Sequence, residues 1–292
     1  MTQPTVGFVL LTHNNPVQVL RLIATLNRLF NYPPIVCHHD FSKSVLPTES
    51  LTSNVSFVHP YFKTAWGKFS VLDSMMRAFQ MISQGADAPD WVILLSGADY
   101  PIKPADPILK DLASSPYDVH IHHELIQYQA YEREWQKRCY KRYCGIKIGF
   151  PALKSFHLTL TYPWVTKFFT PFSKDFRCFA GDFWFCANRK AINYLIAFHE
   201  NETALASHYR NLDPFGMSPD ESYHHTIFCN APHLQISGDN LRYIDWSKSG
   251  RHPKTLLLED LAKLQTSPAH FARKFDIRTD EEILDQLDRV IA

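Results

Sequence analysis

With 292 residues, of which 45% are apolar, the chain is long enough to bury a substantial core, as one large α/β domain or two smaller ones. Its formal net charge of +1 excludes the basic excess of a general nucleic-acid binder, so functional charge here is local. No window approaches the roughly 18 uninterrupted apolar residues of a membrane span, and no linker, repeat or low-complexity tract divides the chain, so one domain over residues 1–292 is expected.

The first apolar run, within Val6–Thr12, is too short to span a membrane and lacks a basic flank. It reads as a buried strand in a soluble, cytoplasmic chain. Pro16–Phe30 spaces Val19, Leu20, Ile23, Leu26 and Phe30 at helical intervals, predicting a helix. Further strands are predicted at Ile35–His39, at 55–58 and at Trp91–Ser96, with an amphipathic helix over Ser70–Ile82. Strand–helix alternation implies an α/β fold with a mostly parallel sheet covered by helices on both faces. Ligands in such sheets sit at the carboxyl ends of the strands. That puts His13-Asn14-Asn15, His38-His39-Asp40 and Ser96-Gly97-Ala98-Asp99 on one rim.

The middle of the chain, 116–171, is aromatic and irregular. Within it, 128–147 interleaves Arg and Lys with Tyr131, Trp135, Tyr140 and Tyr143. Two readings stand: a solvated helix face, or an acceptor-binding or membrane-surface element. Beyond it a strand is predicted at 182–186 and helices at 190–199, 220–229 and 280–291. The 220–229 helix is entered through Ser218-Pro219, with Ser as N-cap and Pro in the first turn.

Two constellations carry chemistry. Asp220-Glu221 is a carboxylate pair at a predicted helix start, where the dipole favours the ionised form and burial raises the pKa toward that of a general base. The alternative is that the pair only satisfies the helix end. Arg273 and Lys274, flanked by Phe271 and Phe275, suit a diphosphate, the Arg bidentately and the Lys as a point charge. Arg251, beside Gly250, adds a third cation. No two aspartates are separated by one residue, so the Asp-x-Asp metal triple of many nucleotide-sugar transferases is missing. Asp99 stands alone where it would be expected, either functional or a turn former before Pro101.

The remaining motifs point less sharply. Glu221-x-x-His224 resembles half of a di-metal motif that needs a second copy. Cys139-x4-Cys144 resembles a zinc half-site without its other half. The six cysteines read as free thiols. The fifteen histidines include the pairs His38/His39, His122/His123 and His224/His225, which keeps a metal-dependent hydrolase among the alternatives.

Taken in order, six stretches resemble the core-2/I-branching β-1,6-N-acetylglucosaminyltransferases and peptide xylosyltransferases, glycosyltransferase family 14. They are the segment from Val36 to Lys43, the segment Ala65-Trp66-Gly67-Lys68-Phe69-Ser70, the segment from Leu94 to Lys103, and the set formed by Gly181 to Phe185, Ser218 to Glu221 and Phe271 to Asp276. The resemblance covers nearly the whole chain. It implies a GT-A-like single domain, with 1–115 as nucleotide-binding half and 116–292 as acceptor and sugar half. It implies an inverting, metal-independent transferase without a cofactor, moving a sugar from a UDP-sugar donor to a glycan acceptor. N-acetylglucosamine is the first expectation for that sugar, with xylose and glucuronic acid compatible.

By the same resemblance Glu221 is the catalytic base, and Arg273, Lys274 and Arg251 hold the diphosphate. His13, His39, Asp40 and Trp66 are assigned to the nucleotide. Ser96, Asp99, Asp182, Trp184, Asp220 and Trp246 are assigned to the sugar and acceptor. The animal members' membrane anchor, stem and luminal disulfide pattern are not evident, so a bacterial-type enzyme of polysaccharide synthesis is expected, with peripheral contact at the inner membrane face. The competing class is a catalytically inactive nucleotide- or glycan-binding module.

Overall fold

The computed structural model describes residues 3–85, 87–149, 157–247 and 252–292. Arg251, one of the cations expected at the diphosphate, lies outside the described residues. The first strands are β1 (Val6–Thr12), β2 (Ile35–His39), β3 (Val55–Phe57) and β4 (Trp91–Ser96). They alternate with helices α1 (Pro16–Phe30) and α2 (Ser70–Ile82). Strand β1 lies between β2 and β4, parallel to both, and β3 continues parallel beyond β2.

Alternation along the strands decides what each face buries. Val6, Phe8 and Leu10 of β1 pack with Trp91, Ile93 and Leu95 of β4 against Val19, Leu22, Ile23 and Leu26 of α1. Val9, Val36, Val92 and Leu94 face the other way, onto Leu72, Met75, Met76 and Phe79 of α2. Helix α3 (Ala105–Ser114) joins the first face through Ile108 and Leu112.

The sheet does not stop at the predicted nucleotide half. Short strands follow: β5 (Asp99–Pro101), β6 (Val119–Ile121) and β7 (Glu124–Leu125). After α4 (Glu134–Cys139), a π-helical turn at Tyr140–Cys144, β8 (Ile146–Gly149), β9 (His157–Leu160), α5 (Pro163–Thr166) and β10 (Phe179–Ala180), the chain returns through β11 (Phe185–Asn188). Strand β11 inserts antiparallel between β4 and β6. With β12 (Ile236–Ser237) parallel on β6, the described sheet has seven strands in the order β12-β6-β11-β4-β1-β2-β3. Helices α6 (Arg189–Asn201), α7 (Thr203–Asn211) and α8 (Tyr223–Cys229) cover the α2 face. Strands β13 (Arg242–Ile244) and β14 (Phe271–Arg273) form a small sheet with β5. Helices α9 (Leu261–Thr266) and α10 (Glu282–Val290) pack on the α1 face.

Three predicted elements differ in detail. The strand expected at 182–186 begins only at Phe185, because residues 181–184 are held as a loop, described below. The helix expected from 190 starts one residue earlier, capped by Asn188, whose side chain accepts from Ala191 N. The helix expected over 220–229 is broken. Pro219–Glu221 is a single 3-10 turn, Ser222 leaves helical space at φ −148°, and α8 starts at Tyr223. Ser218 is not the expected side-chain cap and sits at φ 47°. The break has a cause: Ser222 Oγ donates to the carbonyl of Phe179 at 2.6 Å and meets Tyr209 Oη at 2.6 Å. That tertiary demand overrides local helix propensity.

Candidate active site

Glu221 sits on the short turn between Ser218 and α8, so a helix dipole is not what sets its charge. Its carboxylate instead accepts a hydrogen bond from Arg142 Nη1 at 2.7 Å. Arg142 comes from the π-helical turn, whose neighbouring Tyr143 donates to the carbonyl of Ser218 at 2.9 Å. Burial pushes Glu221 above the usual carboxylate range; Arg142 opposes this and Asp182 adds to it. The adjacent Asp220 is pushed up to about 7 by burial, then by the charge of Glu221. Its Oδ1 is enclosed without a hydrogen-bond partner.

The backbone of Glu221 holds the next part of the site. Gly181 N donates to the carbonyl of Glu221 at 2.9 Å. A Cβ on Gly181 would lie 1.9 Å from the carbonyl oxygen of His122, so only glycine lets the two segments approach. His225 Nε2 donates to the carbonyl of Asp182 at 2.9 Å, and His224 Nε2 to that of Phe183 at 3.1 Å. Burial holds both imidazoles neutral. This histidine pair is therefore a clamp on the loop, and not the metal half-site its sequence resembled. His38 pairs with the backbone of Phe62 and His39 with Thr12 and Ser44, so those two are equally committed. Among the described residues no group of three His, Cys, Asp or Glu is arranged to hold a metal ion.

The clamped loop presents Asp182 and Trp184. Asp182 Oδ2 lies 3.9 Å from His122 Nδ1 and 3.5 Å from Asn240 Nδ2. Burial raises its pKa, while His122 and Arg273 lower it. The Arg273 guanidinium stacks 4.1 Å above the Trp184 ring, and its Nε lies 3.9 Å from Asp99 Oδ1. Arg273 Nε and Nη1 are enclosed and make no hydrogen bond. Such donors are costly to leave unmade and suit an anionic ligand. Lys274 follows at the end of β14, half-buried, with its carbonyl accepting from Leu256 N at 2.9 Å.

This cationic turn is anchored to the strand-end rim. Phe275 N donates to the carbonyl of Ala98 at 2.9 Å. Gln18 Nε2 donates to the carbonyls of Gly97 and Phe275, and Asn15 Nδ2 to Asp276 Oδ1 at 3.2 Å. Ser96 N and Oγ both donate to Asp99 Oδ2. Asp99 is fully buried and Ser96 is partly exposed. Asp99 thus faces Arg273 from beneath and has no exposed atom for a sugar.

The four residues assigned to the nucleotide divide. His13 is exposed at the end of β1. Trp66 is 63% exposed. The backbone of Ser218 donates to the carbonyl of Gly67 at 3.2 Å, which ties the Trp66 loop to the turn that carries Glu221. Asp40 and His39 are buried. Asp40 accepts from the backbone N and Oγ of Ser42 and of Thr64, which holds it below the usual carboxylate range against burial. The side-chain polar atoms of both residues are hydrogen-bonded within the rim loops. Trp246 is exposed.

Arg142 and Asn240 were not singled out from the sequence, and His122 only as half of a histidine pair read toward a metal. Arg142 lies in the basic–aromatic segment that was flagged, but nothing in its spacing distinguishes it from Arg138 or Lys141. The segment is neither wholly solvated nor wholly ligand-facing: Cys139, Tyr140, Tyr143 and Cys144 are buried in the core. The six cysteines are free.

Similar proteins carry related names. A β-glucuronosyltransferase of Arabidopsis thaliana, GlcAT14B, is 30% identical over 231 residues, covering 78% of this chain and 49% of its own length. Its relative GlcAT14A, also from Arabidopsis thaliana, is 29% identical over 76% of this chain and 47% of its own. Xylosyltransferase 1 of Rattus norvegicus is 25% identical over 84% of this chain and 30% of its own. The chain thus spans about half the length of the plant relatives and under a third of the xylosyltransferase. Among solved structures, galactosyltransferase LgtC in complex with donor and acceptor sugar analogues is 10% identical, with a TM-score of 0.44, covering 98% of this chain and 96% of its own; a likeness that distant adds nothing to the reading of the site. Residues 6–266 match the Core-2/I-branching enzyme family, and the chain belongs to that family.

Proposed function

We propose that the protein is a glycosyltransferase that moves a sugar from a UDP-sugar to a glycan hydroxyl in one inverting displacement. The observation that carries the reading is a single connected cluster. A carboxylate with a raised pKa, Glu221, is linked through Asp182 to a guanidinium, Arg273, whose enclosed donors lack partners. The acceptor oxygen attacks the anomeric carbon from the face opposite the diphosphate. Its proton passes to Glu221, and the bond to the phosphate oxygen breaks with its electron pair leaving on UDP. Arg273 and Lys274 hold the growing negative charge, the work a divalent cation does in other transferases. Asp182 and Trp184 line the sugar. Since the named relatives transfer glucuronic acid and xylose, those sugars come before N-acetylglucosamine as donor.

The test is a screen for slow donor hydrolysis and for transfer across UDP-sugars, with and without excess chelator. Glu221→Gln is expected to lower kcat about 10²–10⁴-fold while UDP binding persists. Turnover in Glu221→Gln near that of the parent chain removes the assignment of the base. Activity that vanishes in chelator and returns with a divalent cation removes the metal-independent reading. Saturable UDP binding with no turnover of any donor favours an inactive binding module.

A further inference from the structure

A cavity bordered by Tyr140 and Cys144 of the turn that carries Arg142 includes none of Glu221, Asp182 and Arg273 among its lining residues. It measures about 840 Å³, within the roughly 300–1,000 Å³ of small-molecule pockets. Tyr140 and Cys144 of that turn, Ile126, Phe172 and Cys178 give it an apolar wall. No Asp or Glu is among its lining residues, while Lys167, Lys174 and Arg177 all are. These three cations are exposed and have no carboxylate partner among the described residues. The nearest acidic residue in sequence is the exposed Asp175.

Beside the cavity, α5 and the turn after it carry an aromatic ridge. Tyr162 is 54% exposed, Trp164 70%, Phe168 74% and Phe169 68%. Four large apolar side chains turned outward within eight residues are not explained by folding. Nor does the reaction proposed above use them: Arg142 and Tyr143 bond Glu221 and Ser218, neither of which lines the cavity.

We propose that this ridge and cavity dock the protein on an anionic phospholipid bilayer, with one acyl chain entering the cavity. The chemistry selects this occupant. Aromatic side chains with flanking cations settle in the headgroup layer of a membrane. An apolar cavity rimmed by three cations matches an amphiphile with an acyl tail and a negative head. The charged residues that line the cavity are all cations, whereas a polypeptide partner would be met by mixed charges and a polar rim.

The test is flotation of the intact chain with vesicles of phosphatidylcholine alone and of phosphatidylcholine mixed with phosphatidylglycerol. Binding is expected on the mixed vesicles, to weaken at high salt, and to be lost without phosphatidylglycerol. Trp164→Ser/Phe168→Ser/Phe169→Ser is expected to abolish flotation. Each of Lys167→Glu, Lys174→Glu and Arg177→Glu is expected to weaken it about fivefold or more. All six residues are exposed, and an unchanged circular dichroism spectrum checks folding. With brominated acyl chains, tryptophan fluorescence is expected to be quenched, and Trp164→Phe to lose that quenching. No flotation on the mixed vesicles overturns the proposal. So does equal binding to both vesicle types, binding that survives the aromatic triple substitution, or release by millimolar inorganic phosphate, which would mark a phosphate site instead.

Discussion

Arg142 gives the sharpest test of the site, because it predicts a shift of known sign in a measurable pH profile. Glu221 acts as base only when ionised, so kcat/KM falls on the acid side as it takes up a proton. Burial and Asp182 raise that pKa, while Arg142, hydrogen-bonded at 2.7 Å, lowers it. An opposite charge at such range lowers a carboxylate pKa by about 1–3 units. The Arg142 side chain is 27% exposed and that of Glu221 35%, so solvent screening puts the effect near the bottom of that span. Arg142→Met is therefore expected to move the acid limb up by about 1–2 pH units, with rates lost at mildly acidic pH and largely regained in alkali. Asp182→Asn is expected to move the same limb down, since it removes a neighbouring negative charge. The assay is UDP release across the pH range at low donor and acceptor concentration. An acid limb that stays in place in both variants, or moves the same way in both, refutes the reasoning.

Other outcomes follow from the same contacts. Arg273→Ala is expected to raise the donor KM and to destabilise the fold by about 3 kcal/mol, because it leaves Asp99 buried and uncompensated; Arg273→Lys restores the charge but not the stack on Trp184. Denaturant titration and donor kinetics read the two effects separately. Gly181→Ala is expected to cost about 1–3 kcal/mol and most of the activity, since its Cβ collides with the carbonyl of His122; a fully active, stable variant contradicts the close approach. The raised pKa of Asp220, about 7, has its own signature. The unfolded chain loses this proton first, so stability from this group is complete below the ordinary carboxylate pKa and declines as pH rises toward 7. Asp220→Asn is expected to flatten that stretch of the melting profile.

Local pattern was enough for the elements that bury one regular face. Helix Ser70–Ile82 and strand Trp91–Ser96 stand where periodicity put them, because apolar spacing reports directly which side meets the core. The ordered motifs named Glu221, Asp182, Trp184 and Arg273 as candidates for the site. What the sequence could not carry was how they meet. The broken helix at Ser222, the pairing of Arg142 with Glu221 and the approach of Asp99 to Arg273 join residues far apart in the chain. Rim position likewise could not show that the polar atoms of Asp40 and His39 are hydrogen-bonded within the fold. Periodicity records a residue's relation to its near neighbours. Charge pairing, burial and pKa depend on distances that exist only once the sheet has brought its strand ends together.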